Sequence, residues 1–370
     1  MNTTGEIPNE IVDRTAEAVK GASANDLTLQ MARISARQRE LIRFVQDAGA
    51  DISPAASDLL ASLAVFVYRC FEAWLGESRM PLIPYSELEE AVFDHMEILQ
   101  EVADTDDPET ELAKRIHVCH LPLVRRVGEE VFGPEGRGAR LDPAETNGVF
   151  VIVKSIVDAM DRCLDRTNAL GFHLAAEPVE GIYQVKATLQ RLRPPVWRRL
   201  LVPPDIPLDE FHLVLQIAMG WENEHLHGFR LRTKQPQRQR RSWVYLETQV
   251  EEMLRLCDVL QREKDAIFYE YDFGDSWEHR IVLEKILPPD PERALPVCIK
   301  GKRACPPEDC GGVWDYAVLV AALRDPDHPR HEEAVEWLGP DWDPEAFDLE
   351  EVNAGLRTWF SGSQDEGAGA

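Results

Sequence analysis

The run YDFGDSWEHRIVLE, Tyr271 to Glu284, decides the fold class of this chain. Aromatic and aliphatic residues alternate with charged ones on both sides of a central Gly-Asp pair, which is the pattern of two antiparallel strands joined by a tight turn. With Gly274 and Asp275 as a two-residue turn, Phe273 faces Ser276, Asp272 faces Trp277, Glu270 faces His279 and Phe268 faces Ile281. Tyr269 and Tyr271 then lie on the opposite face with Glu278 and Arg280. A Glu directly across from a His raises the imidazole pKa and can orient the ring. A cross-strand ion pair at a sheet surface is the simpler use of the same pairing.

Outward from this hairpin, alternation recurs over Ile182 to Leu189 and over Trp197 to Val202, broken by Pro194-Pro195 and Pro203-Pro204. Leu208 to Met219 has helical spacing and stops at Gly220. A strand from His225 to Leu231 places His225, His227, Phe229 and Leu231 on one face. Trp243 to Leu246 reads as a further strand and Val250 to Leu260 as a short amphipathic helix. Pro296 to Tyr316 is a turn-rich connection, followed by helices at Val313 to Leu323, His331 to Leu338 and Leu349 to Phe360, with a disordered tail from Ser361. This order predicts, over residues 180–360, an α+β domain with a mainly antiparallel sheet and helices packed on one face.

From about Asn25 to Gly171 the apolar period is instead that of helices. The spacing predicts one long helix from Leu27 to near Gly49. It predicts a second over Ser57 to Leu75, apolar nearly all round, with Ser53-Pro54 as its start signal and Gly76 as its stop. Ser86 to Ala103 opens on a capping box of Ser86 and Glu89, and Pro108 to Phe132 and Pro143 to Leu170 follow. Short links make these an antiparallel all-α bundle of about five helices over residues 1–175. His117 and His120 stand three apart on one helix; without a third ligand at matching spacing they read as surface or packing residues.

A length of 370 residues suits two domains, and 44% hydrophobic residues suffice for two cores. The net charge of −26 is unevenly spread: residues 1–180 hold 17 basic and 32 acidic groups, 181–300 hold 18 of each, and 301–370 hold 5 and 16. Only the middle is free of repulsion toward polyanions. Uninterrupted apolar runs fall short of the roughly eighteen residues that span a bilayer, and the first residues lack the order of a secretory signal. The expectation is an acidic cytoplasmic protein with no membrane partner. Seven cysteines, odd in number and mostly isolated, read as reduced thiols.

The runs RPPVWRRLLVP, FHLVLQIAMGW, HLHGFRL, YEYDFGDSWEHRIVLE and ACPPEDCGGVWDY, in this order, closely resemble the Ri-plasmid open-reading-frame-three-like family, over about Ile182 to Leu356. Five ordered motifs make the resemblance specific, and it does not extend to the helical first half. It implies an α+β sheet and a protein carried on plasmids and insertion elements, some relatives bearing a transposon-resolvase label. A serine recombinase needs an activated serine among arginines and a basic DNA-binding end, whereas residues 301–370 are strongly acidic. The segment Arg232 to Arg241 is more basic than the family pattern implies.

Three chemistries compete for the second half. His225, His227 and His279 with Glu270 or Asp272 suit zinc, manganese or iron and would activate a water for hydrolysis, the metal-dependent hydrolase alternative. Cys298, Cys305 and Cys310 form a C-x6-C-x4-C set that a fourth ligand such as His279 would complete as structural zinc, although zinc turns usually pair C-x2-C. Arg198, Arg199, Arg238, Arg240 and Arg241, with Trp197 and Trp243 for stacking, would make a nucleic-acid-binding face. The blander readings are a hydrogen-bonded histidine cluster, semi-buried thiols and arginines paired within the chain. The expected function is a non-catalytic binding or accessory factor of mobile elements, with a protein partner or self-association through the helical half.

Overall fold

The structure is a computed structural model that describes residues 5–20, 24–76, 80–103, 105, 107–115, 118–169, 180–234, 241–246 and 248–365. The chain divides into two compact units, Met1–Glu177 and Pro178–Ala370.

Among the described residues the regular structure of the first unit is helical: α1 (Asn9–Lys20), α2 (Ala24–Ser35), α3 (Arg39–Ala50), α4 (Pro54–Leu75), α5 (Tyr85–Ala103), α6 (Pro108–Arg115), α7 (Leu121–Phe132) and α8 (Pro143–Ala169). Helix α4 starts where Ser53 caps it, the hydroxyl accepting from the Ala56 amide, and ends at Gly76 with φ 87°. It is long and apolar enough to cross a membrane by length and composition, and 67% of its apolar window is buried inside the unit. Leu60, Val67, Cys70 and Phe71 on it are fully buried.

Two expected helices are each divided. The stretch from Leu27 to Gly49 breaks between α2 and α3, because buried Gln38 uses its amide as backbone would: Nε2 donates to the Pro81 carbonyl (2.7 Å) and Oε1 accepts from the Ile83 amide (3.1 Å). The stretch from Pro108 to Phe132 breaks before α7 at His120, which is left-handed at φ 49°. His117 lies outside the described residues. His120 is a packing residue, its Nδ1 accepting from the Ile7 amide (3.1 Å) and its Nε2 facing Asp161 (3.0 Å).

The second unit is α+β. Its elements are β1 (Ile182–Leu189), β2 (Trp197–Val202), α9 (Leu208–Met219), β3 (His227–Lys234), β4 (Arg241–Tyr245), the single turns α10 (Thr248–Glu251) and α11 (Leu256–Val259), β5 (Ala266–Tyr271), β6 (Trp277–Leu287), β7 (Val297–Lys302), α12 (Gly312–Leu323), α13 (His331–Leu338) and α14 (Leu349–Asp365). The strands form one seven-stranded sheet in the order β4-β3-β5-β6-β1-β2-β7, every neighbouring pair antiparallel. Three local expectations are corrected. The Val250 to Leu260 helix is two short turns, the turn-rich stretch after Pro296 contains edge strand β7, and α14 continues beyond Phe360 to Asp365.

One sheet face is apolar and buried, with Tyr183, Val185, Leu200, Phe229, Tyr269, Trp277 and Ile281 at or near zero exposure. Helix α9 covers it through Phe211, which stacks on Phe229 (6.3 Å). The other face carries half-buried ion pairs such as Arg199–Glu284. Edge strand β7 is held by α14, where the Asn353 amide accepts from the Cys298 N–H (2.8 Å) and donates to its carbonyl (2.9 Å).

The hairpin register differs by one residue from that implied by a Gly-Asp turn. The pairs are Tyr271↔Trp277, Glu270↔Glu278, Tyr269↔His279 and Phe268↔Arg280. The loop is therefore five residues, with positive φ at its two ends, Asp272 (56°) and Ser276 (56°), rather than at Gly274. Asp272 closes it twice: its carbonyl accepts from the Ser276 amide (2.6 Å) and its carboxylate from the Gly274 amide (2.9 Å), an Asx turn. Glu270 accordingly does not face His279, and both tyrosines share the buried face with Trp277 and His279.

Candidate functional site

The chemistry gathers where the β5–β6 loop meets the segment before β3 and the loop before α12. Tyr271 is the tie between them. Its hydroxyl donates to Glu308 Oε1 (2.7 Å) and accepts from the Glu224 (3.1 Å) and His225 (3.3 Å) amides, while Glu308 also accepts from the Glu222 amide (3.0 Å). The Asp272 amide donates to the Leu226 carbonyl (2.9 Å). These bonds bring His225, Asp272 and Asp309 together, one ligand atom of each lying within 4.8 Å of the others. Asp272 and Asp309 both sit in left-handed backbone (56° and 57°), a conformation Asp tolerates better than most residues.

His225 Nε2 is buried without a hydrogen bond and lies 3.4 Å from Asp309 Oδ1. Asp272 is buried and Asp309 is exposed, so the group opens to solvent on one side. One imidazole nitrogen with two carboxylate oxygens suits zinc, manganese or ferrous iron, and the open side leaves room for a further ligand. Leu226 (75%) and Phe273 (50%), the chain neighbours of His225 and Asp272, are exposed, as is Trp314 (77%) in the first turn of α12. The start of α12 is pinned to the same loop, since the Gly311 amide donates to Asp275 Oδ2 (3.1 Å). Burial, then the Asp272 charge nearby, holds the Asp275 carboxyl above its usual range, although the Gly312 and Gly311 amides oppose this.

A second cluster lies under the sheet. The rings of His212 and His227 stack at 3.5 Å and 4°. His227 Nε2 meets Glu251 Oε2 (3.1 Å), whose other oxygen accepts from the Phe229 amide (3.0 Å). His212 Nε2 donates to Asn223 Oδ1 (2.7 Å), so its Nδ1 accepts from the Tyr269 hydroxyl (2.8 Å), which in turn accepts from Gln216 (2.7 Å). Burial, then the neighbouring His227, pushes the His212 pKa down to about 4, keeping this imidazole neutral.

The histidines read from sequence as one set thus fall into three places. His225 joins Asp272; His227 joins His212 and Glu251; His279 is fully buried, Nδ1 donating to the Trp277 carbonyl (3.0 Å) and Nε2 without a partner. Burial drives the His279 pKa down to about 3. Glu270 accepts from the Ser276 hydroxyl (2.6 Å) and the Tyr245 hydroxyl, apart from any histidine. Cys298, Cys305 and Cys310 are buried free thiols, the latter two pushed up to about 12 by burial, and the ligand atoms that converge among the described residues are those of His225, Asp272 and Asp309 rather than these sulfurs.

Arg198, expected on a nucleic-acid face, is 3% exposed. Its guanidinium bonds the Ala218 (2.7 Å), Trp197 (3.1 Å) and Lys302 (3.2 Å) carbonyls and lies 4.3 Å from the Phe347 ring centre. Arg199 forks onto Glu284 (2.6 and 2.9 Å). Arg238 and Arg240 lie outside the described residues, and Arg241 is described only as backbone of β4.

Asp309, His212 and Glu251 were not legible as partners. The acidic pair Glu308-Asp309 within the ACPPEDC run was a usable signal, whereas His212 sits in an ordinary helical repeat. In the first unit a buried Ser155–His95–Asp158 chain, with contacts of 2.8 and 3.0 Å, has the outline of a hydrolytic triad. Ser155 is 0% exposed, and its hydroxyl stands 2.8 Å from both His95 Nδ1 and the Val151 carbonyl inside the helical core, out of reach of any substrate, so no nucleophile is offered.

A family model described as "Plasmid pRiA4b ORF-3-like protein" matches residues 181–351. The protein titled "Uncharacterized protein y4hQ" of Sinorhizobium fredii (strain NBRC 101917 / NGR234) is 38% identical over 176 residues, which are 47% of this chain and 90% of that one. The "Crystal Structure of Protein of Unknown Function MM3350 from Methanosarcina mazei Go1" is 37% identical, covers 47% of this chain and 98% of that one, and has a TM-score of 0.42.

Proposed function

Because the chain belongs, through its second unit, to the plasmid pRiA4b ORF-3-like family, we propose that it is an accessory binding protein of plasmids or mobile elements whose binding surface is organised by a divalent cation. His225, Asp272 and Asp309 hold the cation, and Leu226, Phe273 and Trp314 supply the apolar contact around it. The observation that carries this reading is the convergence of one ligand atom each from three separate loops within 4.8 Å of one another, at a histidine whose Nε2 is buried, makes no hydrogen bond and stands 3.4 Å from Asp309 Oδ1. A buried polar atom left unpaired costs about 1–3 kcal/mol, and a cation at this point removes that cost.

The test is calorimetric titration of the purified full chain with Zn²⁺ and Mn²⁺. One cation per chain is expected, with affinity reduced about tenfold or more in Asp272→Asn and His225→Ala. His227→Ala, which alters the separate His212–Glu251 cluster, should leave the affinity unchanged. Equal affinity in all four proteins would dispose of the site. Turnover of a chromogenic phosphodiester by the metal-loaded chain, lost in Asp272→Asn, would replace the binding reading by the metal-dependent hydrolase.

A further inference from the structure

In the first unit, α3, α5 and α8 border an open groove of about 700 Å³. Its floor is Phe44 packed edge-to-face on Tyr85, ring centres 5.6 Å apart. Along one lip, Phe93 and Met96, three apart on α5, are 69% and 54% exposed. Large apolar side chains presented like this, one of them an adaptable methionine, form a surface that accepts another apolar face.

The charge around the groove selects the kind of face. Asp47, Glu89 and Glu90 line it. The nearby cation Arg43 is already engaged, 5.1 Å from the Tyr85 ring centre and within 3.6 Å of Glu40 and 3.8 Å of Asp47. A second copy of this chain is a poor occupant. An isologous contact would set these carboxylates against their own copies, in a region of 17 basic and 32 acidic residues. An enclosed small molecule fits no better, since two of the apolar groups stand on the lip rather than over a cavity.

We infer that this groove docks a basic amphipathic helix of a protein partner, its apolar stripe seated on Phe93 and Met96 and its Lys or Arg residues against Asp47, Glu89 and Glu90. Helix-in-groove recognition reads apolar anchors at three- and four-residue spacing, and opposite charges on the rim set the orientation and speed of encounter. The inference is independent of the cation site, which lies in the other unit.

The experiment uses the full chain and two labelled helical peptides of about five turns. One has leucines on one face and lysines elsewhere; the other has glutamates in place of lysine. Anisotropy at physiological salt should show binding of the Leu/Lys helix and not of the Leu/Glu helix. Phe93→Ser with Met96→Ser, and separately Glu89→Lys with Glu90→Lys, should each weaken binding about tenfold or more. Glu350→Lys, on an exposed position of α14, should not. The substituted side chains are exposed, and helical circular dichroism confirms that each variant is folded. Absence of binding, or binding kept by all variants, overturns the inference. So does a concentration-dependent dimer in sedimentation that Phe93→Ser abolishes, which would make a second copy the occupant.

Discussion

Asp158 on α8 accepts from His95 Nε2 (3.0 Å), from Cys119 Sγ (3.0 Å) and from Lys154, itself 4% exposed. Burial alone would raise its pKa, but the His95 bond, then the Lys154 charge and the Cys119 bond, outweigh it and hold the carboxyl down at about 2. Asp158→Ala removes the carboxylate that Lys154, His95 and Cys119 share in the helical core, so a loss of about 3–5 kcal/mol is expected in urea unfolding followed by helical circular dichroism. Lys154→Met combined with Asp158→Leu should recover most of that loss, because the charge is removed along with its partner. A single variant within about 1 kcal/mol of the parent protein would mean that water or another group already serves Lys154.

At the level of elements, the β5–β6 register follows from what each alternative would bury. Slipping by one residue moves a whole side-chain set to the other face. The register implied by a two-residue turn would take Tyr269 and Tyr271 off the apolar face and put Glu270 and Asp272 onto it, away from the Ser276, Tyr245 and Gly274 groups that bond them where they are buried now. Each fully buried aromatic contributes roughly 2 kcal/mol relative to exposure, and an unpaired buried carboxylate costs more. The five-residue loop that results is what presents Asp272 beside His225. The start of α12 bears on the same loop: at Gly312, φ is 74° and a Cβ would stand 2.6 Å from the Asp275 carbonyl oxygen. Gly312→Ala must therefore shift loop or helix, with an expected stability loss of about 1–3 kcal/mol. It should also weaken Zn²⁺ binding in the calorimetric titration, and unchanged binding together with unchanged stability would show that the junction yields freely.

Across the whole molecule, acid should act on the two units at different pH. His212 and His279 are neutral in the folded second unit, with pKa values lowered by burial to about 4 and about 3. Unfolded, both take up protons near pH 6.5. Their contribution is complete above that pH and is lost as the pH falls toward the folded values, at about 1.4 kcal/mol per pH unit for each group. Asp158 works in the lower window, its contribution complete above about pH 4 and lost toward about pH 2. Tryptophan fluorescence, sensitive to Trp221 packed on His279 at 5.3 Å, should report unfolding at a higher pH than far-ultraviolet dichroism of the helices does. His279→Phe should flatten the fluorescence profile between about pH 6 and pH 4, and coincident acid transitions in the parent protein would refute the separation.

Periodicity alone was enough for the α+β second half, the helical first half, the strands at Ile182–Leu189 and Trp197–Val202, and the helix ended by Gly220. Five ordered motifs pointed to the family. These features are local: alternation, helical spacing and turn residues are set by neighbours in the chain. Only the tertiary structure decided which way the hairpin closed, that Arg198 faces backbone carbonyls rather than solvent, and that His225 meets Asp309 while His227 meets Glu251. Those outcomes depend on which face of a strand is buried and which distant loop arrives beside it. They turn on a few kcal/mol of packing and desolvation, shared among residues far apart in sequence.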